Sequence, residues 1–213
     1  MQVLITGANR GVGAALSETL TARGHEVTAT ARSGAGFVPL DVTRPETIRA
    51  MAEGLGGAPL DALVCNAGVF LDRGQDLGSG YPADMWAEEF SVNVTGVFLT
   101  IQALLPNLTA AGGKVMIISS QMASSERAPG GSLIYRASKA AALNLGRNLA
   151  ADLRGAGIAV GIYHPGWVRT DMGGSGADLS PAAAAEGLAD RLDALTLDTT
   201  GCFETWDGRA HPY

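Results

Sequence analysis

Apolar residues along the chain gather in short runs, several without polar alternation. "QVLIT" (2–6), "EVTAT" (26–30), "GFVPL" (36–40), "DALVC" (61–65), "KVMIIS" (114–119), "IAVGIY" (158–163) and "CFETW" (202–206) read as strands. Continuous apolar strands are expected where helices cover both faces of a parallel sheet. Between the runs lie helix-period segments at 12–23, 44–54, 82–110, 132–155 and 181–195. Strand–helix alternation of this kind predicts right-handed βαβ crossovers: an α/β, doubly wound, seven-stranded parallel sheet of Rossmann type over residues 1–213, as one domain. One crossover is short. Only "ARSGAGFV" separates the second strand from "PLDV", so the helix between strands two and three is expected to be missing or reduced to a turn.

Composition narrows the class. The chain has 213 residues, 46% of them hydrophobic, enough for one substantial core. Its formal charge of −6 argues against a nucleic-acid surface, which needs clustered Lys and Arg. No apolar run reads as a membrane span, and "MQVLITGANRG" already has the pattern of a strand and turn, not of a signal peptide. A cytoplasmic protein is the resulting expectation. Cys65 and Cys202, both in predicted strands, are read as reduced thiols. The three histidines have no metal-ligand spacing, and no metal is expected.

Chemistry enters at the first turn. "VLITGANRGVGAALSETL" runs from a strand through Gly7, Gly11 and Gly13 into an amphipathic helix. Glycines there permit a tight turn and close backbone approach to a pyrophosphate, and the helix N-terminus offers N–H groups to it. The plain alternative is an ordinary Gly-rich βα turn. At the end of the second strand an acid would suit the ribose hydroxyl of NAD. This chain has Arg32 there, with Arg10 in the glycine turn as a second cation, and together they favour NADP(H), with NAD(H) possible. Either arginine alone could be solvated surface. Asp41 is a candidate for the adenine amino group or for capping the following helix. Tyr135 and Lys139, four apart, share a helix face. An ammonium and a positive nicotinamide would bring a phenol down from its usual value near 10 towards working pH, enabling proton transfer to a carbonyl oxygen. Alone, the pair could equally be a surface contact.

In order and interval these residues resemble the short-chain dehydrogenase/reductase family. The matches are Thr6-Gly7-x-x-x-Gly11-x-Gly13, Asp41, Asn66-Ala67-Gly68, Asn93, the serine run after strand five, "YRASK" at 135–139 and "HPGWVRTDM" at 164–172. The resemblance is strongest to the carbonyl-reductase-like subgroup that includes C-factor and sniffer proteins. It implies a catalytic set of Asn93, Ser120, Tyr135 and Lys139. Tyr135 would be the acid/base, Lys139 would bond the nicotinamide ribose, and Asn93 would hold a relay water. It implies cofactor contacts from Gly7, Asn9, Arg10, Gly11, Val12, Gly13, Arg32, Asp41, Val42, Asn66, Ala67, Gly68, Tyr135, Lys139, Pro165, Gly166, Val168 and Thr170. Of Ser119 and Ser120, strand alternation turns only one towards the substrate, and the family pattern favours Ser120. Ser132 is a candidate N-cap for the Tyr135 helix. His164 is read as a neighbour of the cofactor loop.

The implied function is NADPH-dependent, reversible reduction of a ketone or aldehyde. The alternative is a cofactor-binding signalling or regulatory protein whose catalysis is incidental. Family practice implies a homodimer through helices 82–110 and 132–155, with monomer or tetramer as alternatives. Two departures stand out: the Ser120–Tyr135 interval is slightly long, and the segment after "TDMGG" is brief, which suggests an open substrate mouth.

Overall fold

The computed structural model describes every residue except Ser79. Its seven parallel strands are β1 (Gln2–Ile5), β2 (Glu26–Ala31), β3 (Val38–Pro39), β4 (Ala62–Cys65), β5 (Lys114–Ile118), β6 (Ala159–His164) and β7 (Phe203–Thr205), in the order β3-β2-β1-β4-β5-β6-β7. The helices are α1 (Gly11–Ala22), α2 (Pro45–Leu55), α3 (Ala83–Phe90), α4 (Gly96–Ala111), α5 (Leu133–Leu153) and α6 (Pro181–Ala194). This is the doubly wound Rossmann arrangement expected from the alternation of elements.

Strand pleat divides the core in two. Leu4, Leu63, Cys65, Val115, Ile117, Val160 and Ile162 face one side with residues of α2, α4 and α5. Val3, Ile5, Ala62, Val64, Met116, Ile118 and Tyr163 face the other, against Leu16 and Leu20 of α1 and Leu188 and Leu192 of α6. Being covered on both faces, β4, β5 and β6 are buried at every position but Lys114, which explains their unbroken apolar runs.

No helix joins β2 to β3. Residues 32–37 form bends and turns, and β3 shrinks to two exposed residues at the sheet edge. Val38 is left 38% exposed for want of a covering crossover. The expected 82–110 helix is instead three segments, because a π-helical turn at Ser91–Thr95 joins α3 to α4. The sequence reading on membranes needs correction. Ala83–Ala111 is by length and composition apolar enough to span one. Its Val97, Ile101, Leu104 and Leu108 belong to the protein core, however, which accounts for the composition. Cys202 sits just ahead of β7 rather than within it, and both cysteines are free thiols.

Register places the chemistry. Ile5 pairs with Val64, Cys65 with Ile117, and Ile118 with Tyr163. The segments that follow β1, β4, β5 and β6 therefore leave one edge of the sheet together. The direction of strand addition reverses between β1 and β4, the crevice in which open α/β sheets bind ligands.

Candidate active site

Thr6 and Asn66 tie the first turn to the loop after β4. The Thr6 hydroxyl accepts from the N–H groups of Asn66 and Ala67, both at 3.0 Å. The Asn66 amide donates to the carbonyls of Thr6 and Gly7 at 2.9 and 3.0 Å. Gly7 is left-handed, at φ 67°, and a Cβ there would press on the Ala67 backbone. At Gly13 a Cβ would collide with the Gly7 carbonyl and the Asn66 amide, so glycine is required. Gly11 opens α1, and Arg10 at the N-cap offers no side-chain acceptor to the first helical turn. That turn, with Gly11, half-buried Val12 and exposed Asn9, presents free N–H donors as a phosphate requires. Thr170 lies against it, its methyl 3.3 Å from where a Gly11 Cβ would be.

Arg10 and Arg32 are both exposed, but Arg10 is not left free. It pairs with Asp171 at 3.0 Å, an exposed ion pair of small energetic worth that a phosphate could displace. Asp41 accepts from the Thr43 N–H and hydroxyl at 3.0 and 2.7 Å, forming the turn before α2. Burial works to raise the Asp41 carboxyl, but the Thr43 bonds and the charges of Arg32 and Arg44 outweigh it and hold it low. Arg32 and Asp41 are thus electrostatic neighbours at the end of β2. Val42 is buried against Gly96, at the head of α4.

The polar residues of the second half meet beside Gly68. A Cβ at Gly68 would stand 3.2 Å from Asn93 Oδ1 and 3.3 Å from Lys139 Nζ. Asn93, in the π-helical turn, accepts from Val69 N and donates to Val69 O and Ser138 Oγ, all within 3.0 Å. Lys139 Nζ, buried, donates to the Ile118 carbonyl at 3.1 Å and lies 5.7 Å from the Tyr135 ring centroid. Ser119 turns towards α5, donating to the Lys139 carbonyl, while the Ser120 hydroxyl accepts from Met122 N. Ser120 also faces the Tyr135 phenol and works against the upward shift that burial imposes on it. Phe70 stacks on Tyr135, centroids 4.3 Å apart. Pro165 and Gly166 follow β6; Gly166 is left-handed and packs against Leu179 and Trp206, and buried Val168 bridges to Leu179.

One expectation changes. Ser132 does not cap α5: it is itself left-handed, at φ 47°, with no side-chain cap bond. Asp72 does so from across the site, Oδ2 accepting from Ile134 N at 2.7 Å and Tyr135 N at 3.4 Å. The phenol is not lowered in this state. Burial pushes Tyr135 up to about 12, against the Ser120 bond and Arg73, and with the help of the Glu89 and Asp72 charges. Burial likewise brings Lys139 down to about 8. Met172 Sδ sits 4.0 Å from the phenol oxygen, and Arg73 donates to the Met172 carbonyl. The segment around it is tied by bonds from Trp167 to Gly173 and from Arg169 to Ala177 and Asp178.

His164 is buried at the end of β6, 5.9 Å from the His211 ring; burial and the His211 charge bring it down to about 4. Among the described residues no His, Cys, Asp or Glu cluster could hold a metal. Sequence reasoning missed Phe70, Asp72, Glu89, Ser138 and Met172. For Glu89 a signal existed: it precedes Asn93 by one helical turn and so shares its face.

A dinucleotide fits what is present: a glycine cradle in which a Cβ at Gly7 or Gly13 would collide, a helix N-terminus with no side-chain cap, and a buried lysine beside the Tyr135 ring. The comparisons agree. A profile described as short chain dehydrogenase matches residues 1–178. The 1-hydroxy-2-glutathionyl-2-methyl-3-butene dehydrogenase of Rhodococcus sp. strain AD45 is 36% identical, over 97% of this chain and 96% of its own length. C-signal of Myxococcus xanthus is 36% identical, over 78% of this chain and 100% of its own. The NADPH-bound carbonyl reductase from chicken fatty liver superposes with a TM-score of 0.91 at 30% identity, covering 100% of this chain and 98% of that one. On sequence, fold and the convergence of its polar residues, this chain belongs to the short-chain dehydrogenase family and is an oxidoreductase.

Proposed function

We propose that the protein reduces a ketone or aldehyde with NADPH, reversibly, using Tyr135 as acid and base. The observation that carries this reading is the gathering of Tyr135, Lys139, Asn93 and Ser120 at the sheet edge where the glycine turn also opens. A bound NADPH supplies the hydride. Ser120 holds the carbonyl oxygen, and Tyr135, protonated because burial keeps its pKa high, gives that oxygen a proton. Lys139, tied to the Ile118 carbonyl, is held to meet a ribose hydroxyl, and its position near Gly68 and Asn93 gives the proton a polar route away from the phenol. Phe70 and Met172 exclude water from the phenol, so entry of substrate requires Met172 to withdraw. NADP(H) over NAD(H) is supported by exposed Arg32 at the end of β2 and by the NADPH in the chicken reductase.

A signalling role is the second reading, raised by the similarity to C-signal. The fuller coverage of the Rhodococcus dehydrogenase and the complete set of four polar residues favour catalysis. We also propose a homodimer through the outer face of α4, where Phe98 is 38% exposed beside half-buried Leu99 and Ala103.

Three outcomes follow. Tyr135→Phe is expected to lower carbonyl-dependent NADPH oxidation about a hundred- to ten-thousand-fold while NADPH still binds, read by nicotinamide absorbance and fluorescence titration. Turnover surviving in that variant would remove Tyr135 from the mechanism. Arg32→Asp is expected to weaken NADPH by roughly ten-fold or more and NADH far less; equal losses would show that Arg32 does not read the 2′-phosphate. Light scattering is expected to give twice the chain mass for the native protein and a single chain mass for Phe98→Asp. A native monomer ends the dimer proposal.

A further inference from the structure

Beneath the tyrosine lie two carboxylates that the reaction above does not use. Asp72, in the loop after β4, and Glu89, on α3, are each 0% exposed. Asp72 Oδ2 takes the first N–H groups of α5, from Ile134 and Tyr135. Glu89 Oε2 accepts at 3.2 Å from the N–H of Leu71, the residue before Asp72. Among the described residues, one oxygen of each, Asp72 Oδ1 and Glu89 Oε1, is buried without a hydrogen-bond partner. Two neighbouring ionised carboxylates with bare oxygens in the interior are disfavoured by desolvation and by mutual repulsion. One proton on the pair relieves both, since a neutral carboxyl costs less to bury than a carboxylate and does not repel its neighbour.

We propose that Asp72 and Glu89 hold one proton between them, carried on Glu89, and that this pair is a positioning device for Tyr135. It fixes the start of the helix from which the phenol projects, and it keeps a second negative charge away from that phenol. The proton is placed on Glu89 because its carboxyl meets one backbone N–H, from Leu71, where Asp72 meets two at the start of α5. Glu89 is faced by Asp72 from the β4 loop, by Lys139 from α5 and by Glu88 from its own helix. Tyr135 is faced by both carboxylates and, with opposite sign, by Arg73. Burial first, then the Asp72 and Glu88 charges, push Glu89 up to about 7 against the Leu71 bond and Lys139. An ionised Glu89 raises the phenol further and delays the phenolate that alcohol oxidation needs.

The positioning role rests on Tyr135 being the acid/base, whereas the shared proton does not, so the two can fail separately. Infrared difference spectra of the whole chain against E89Q test the proton. A protonated-carboxyl band is expected in the native protein at neutral pH and absent from E89Q, and no such band overturns the pair. The pH profile of alcohol oxidation tests the positioning. E89Q stays polar at that position but cannot ionise, so its ascending limb is expected at lower pH than the native one. Coincident limbs overturn the positioning role even where the band is present.

Discussion

The hydrogen bonds from the first N–H groups of α5 to buried Asp72 are the constraint on which the site depends. Gly130, Gly131 and Ser132 enter the helix in left-handed conformations, so no local side chain can cap it. Asp72 lies in the loop that follows β4, and its carboxylate fixes where α5 starts relative to the sheet. Tyr135 is in the first turn and Lys139 in the second, so their placement against Ile118 and Ser120 follows from that one contact. Release it, and α5, which carries both the phenol and the ammonium, loses that anchor to the loop after β4.

The same burial that builds the site holds it in its acid form. A phenol pushed up to about 12 stays protonated through neutral pH, although burial makes it a weaker acid than a free tyrosine, and a lysine brought down to about 8 carries its charge only partly at mildly alkaline pH. Oxidation requires an added positive charge beside the phenol, which an oxidised nicotinamide would bring. Met172 lies 4.0 Å from the phenol oxygen of the buried Tyr135.

Much of this was legible in the sequence, and the parts that were not share a cause. Strand runs and helical periods report burial directly, so the seven strands, the missing crossover before β3 and the glycine turn could be read locally. Gly7, Gly11 and Gly13 are recognisable because their backbone need is local. Tyr135 and Lys139 were visible as a pair only through helical spacing. Asp72 as a cap was not visible: it lies some sixty residues from the helix that it holds, and a nearby serine offered the conventional signal. The size of the burial effect on the phenol was not visible either, because spacing puts a lysine near a tyrosine but does not say how deeply either is buried. Met172 over the mouth depends on bonds from Trp167 and Arg169 that a loop sequence does not announce.

The central claim, a buried phenol that becomes a base only beside a bound oxidised cofactor, is tested most directly by titrating tyrosinate absorbance with and without NADP+. The difference between the native protein and Tyr135→Phe isolates one phenol from the four tyrosines of the chain. Without nucleotide that phenol should ionise near the upper end of the accessible range, about 12, and with NADP+ its ionisation should move clearly to lower pH. An isolated phenol that ionises near its ordinary value of about 10, unmoved by NADP+, would contradict both the burial and the role assigned to it.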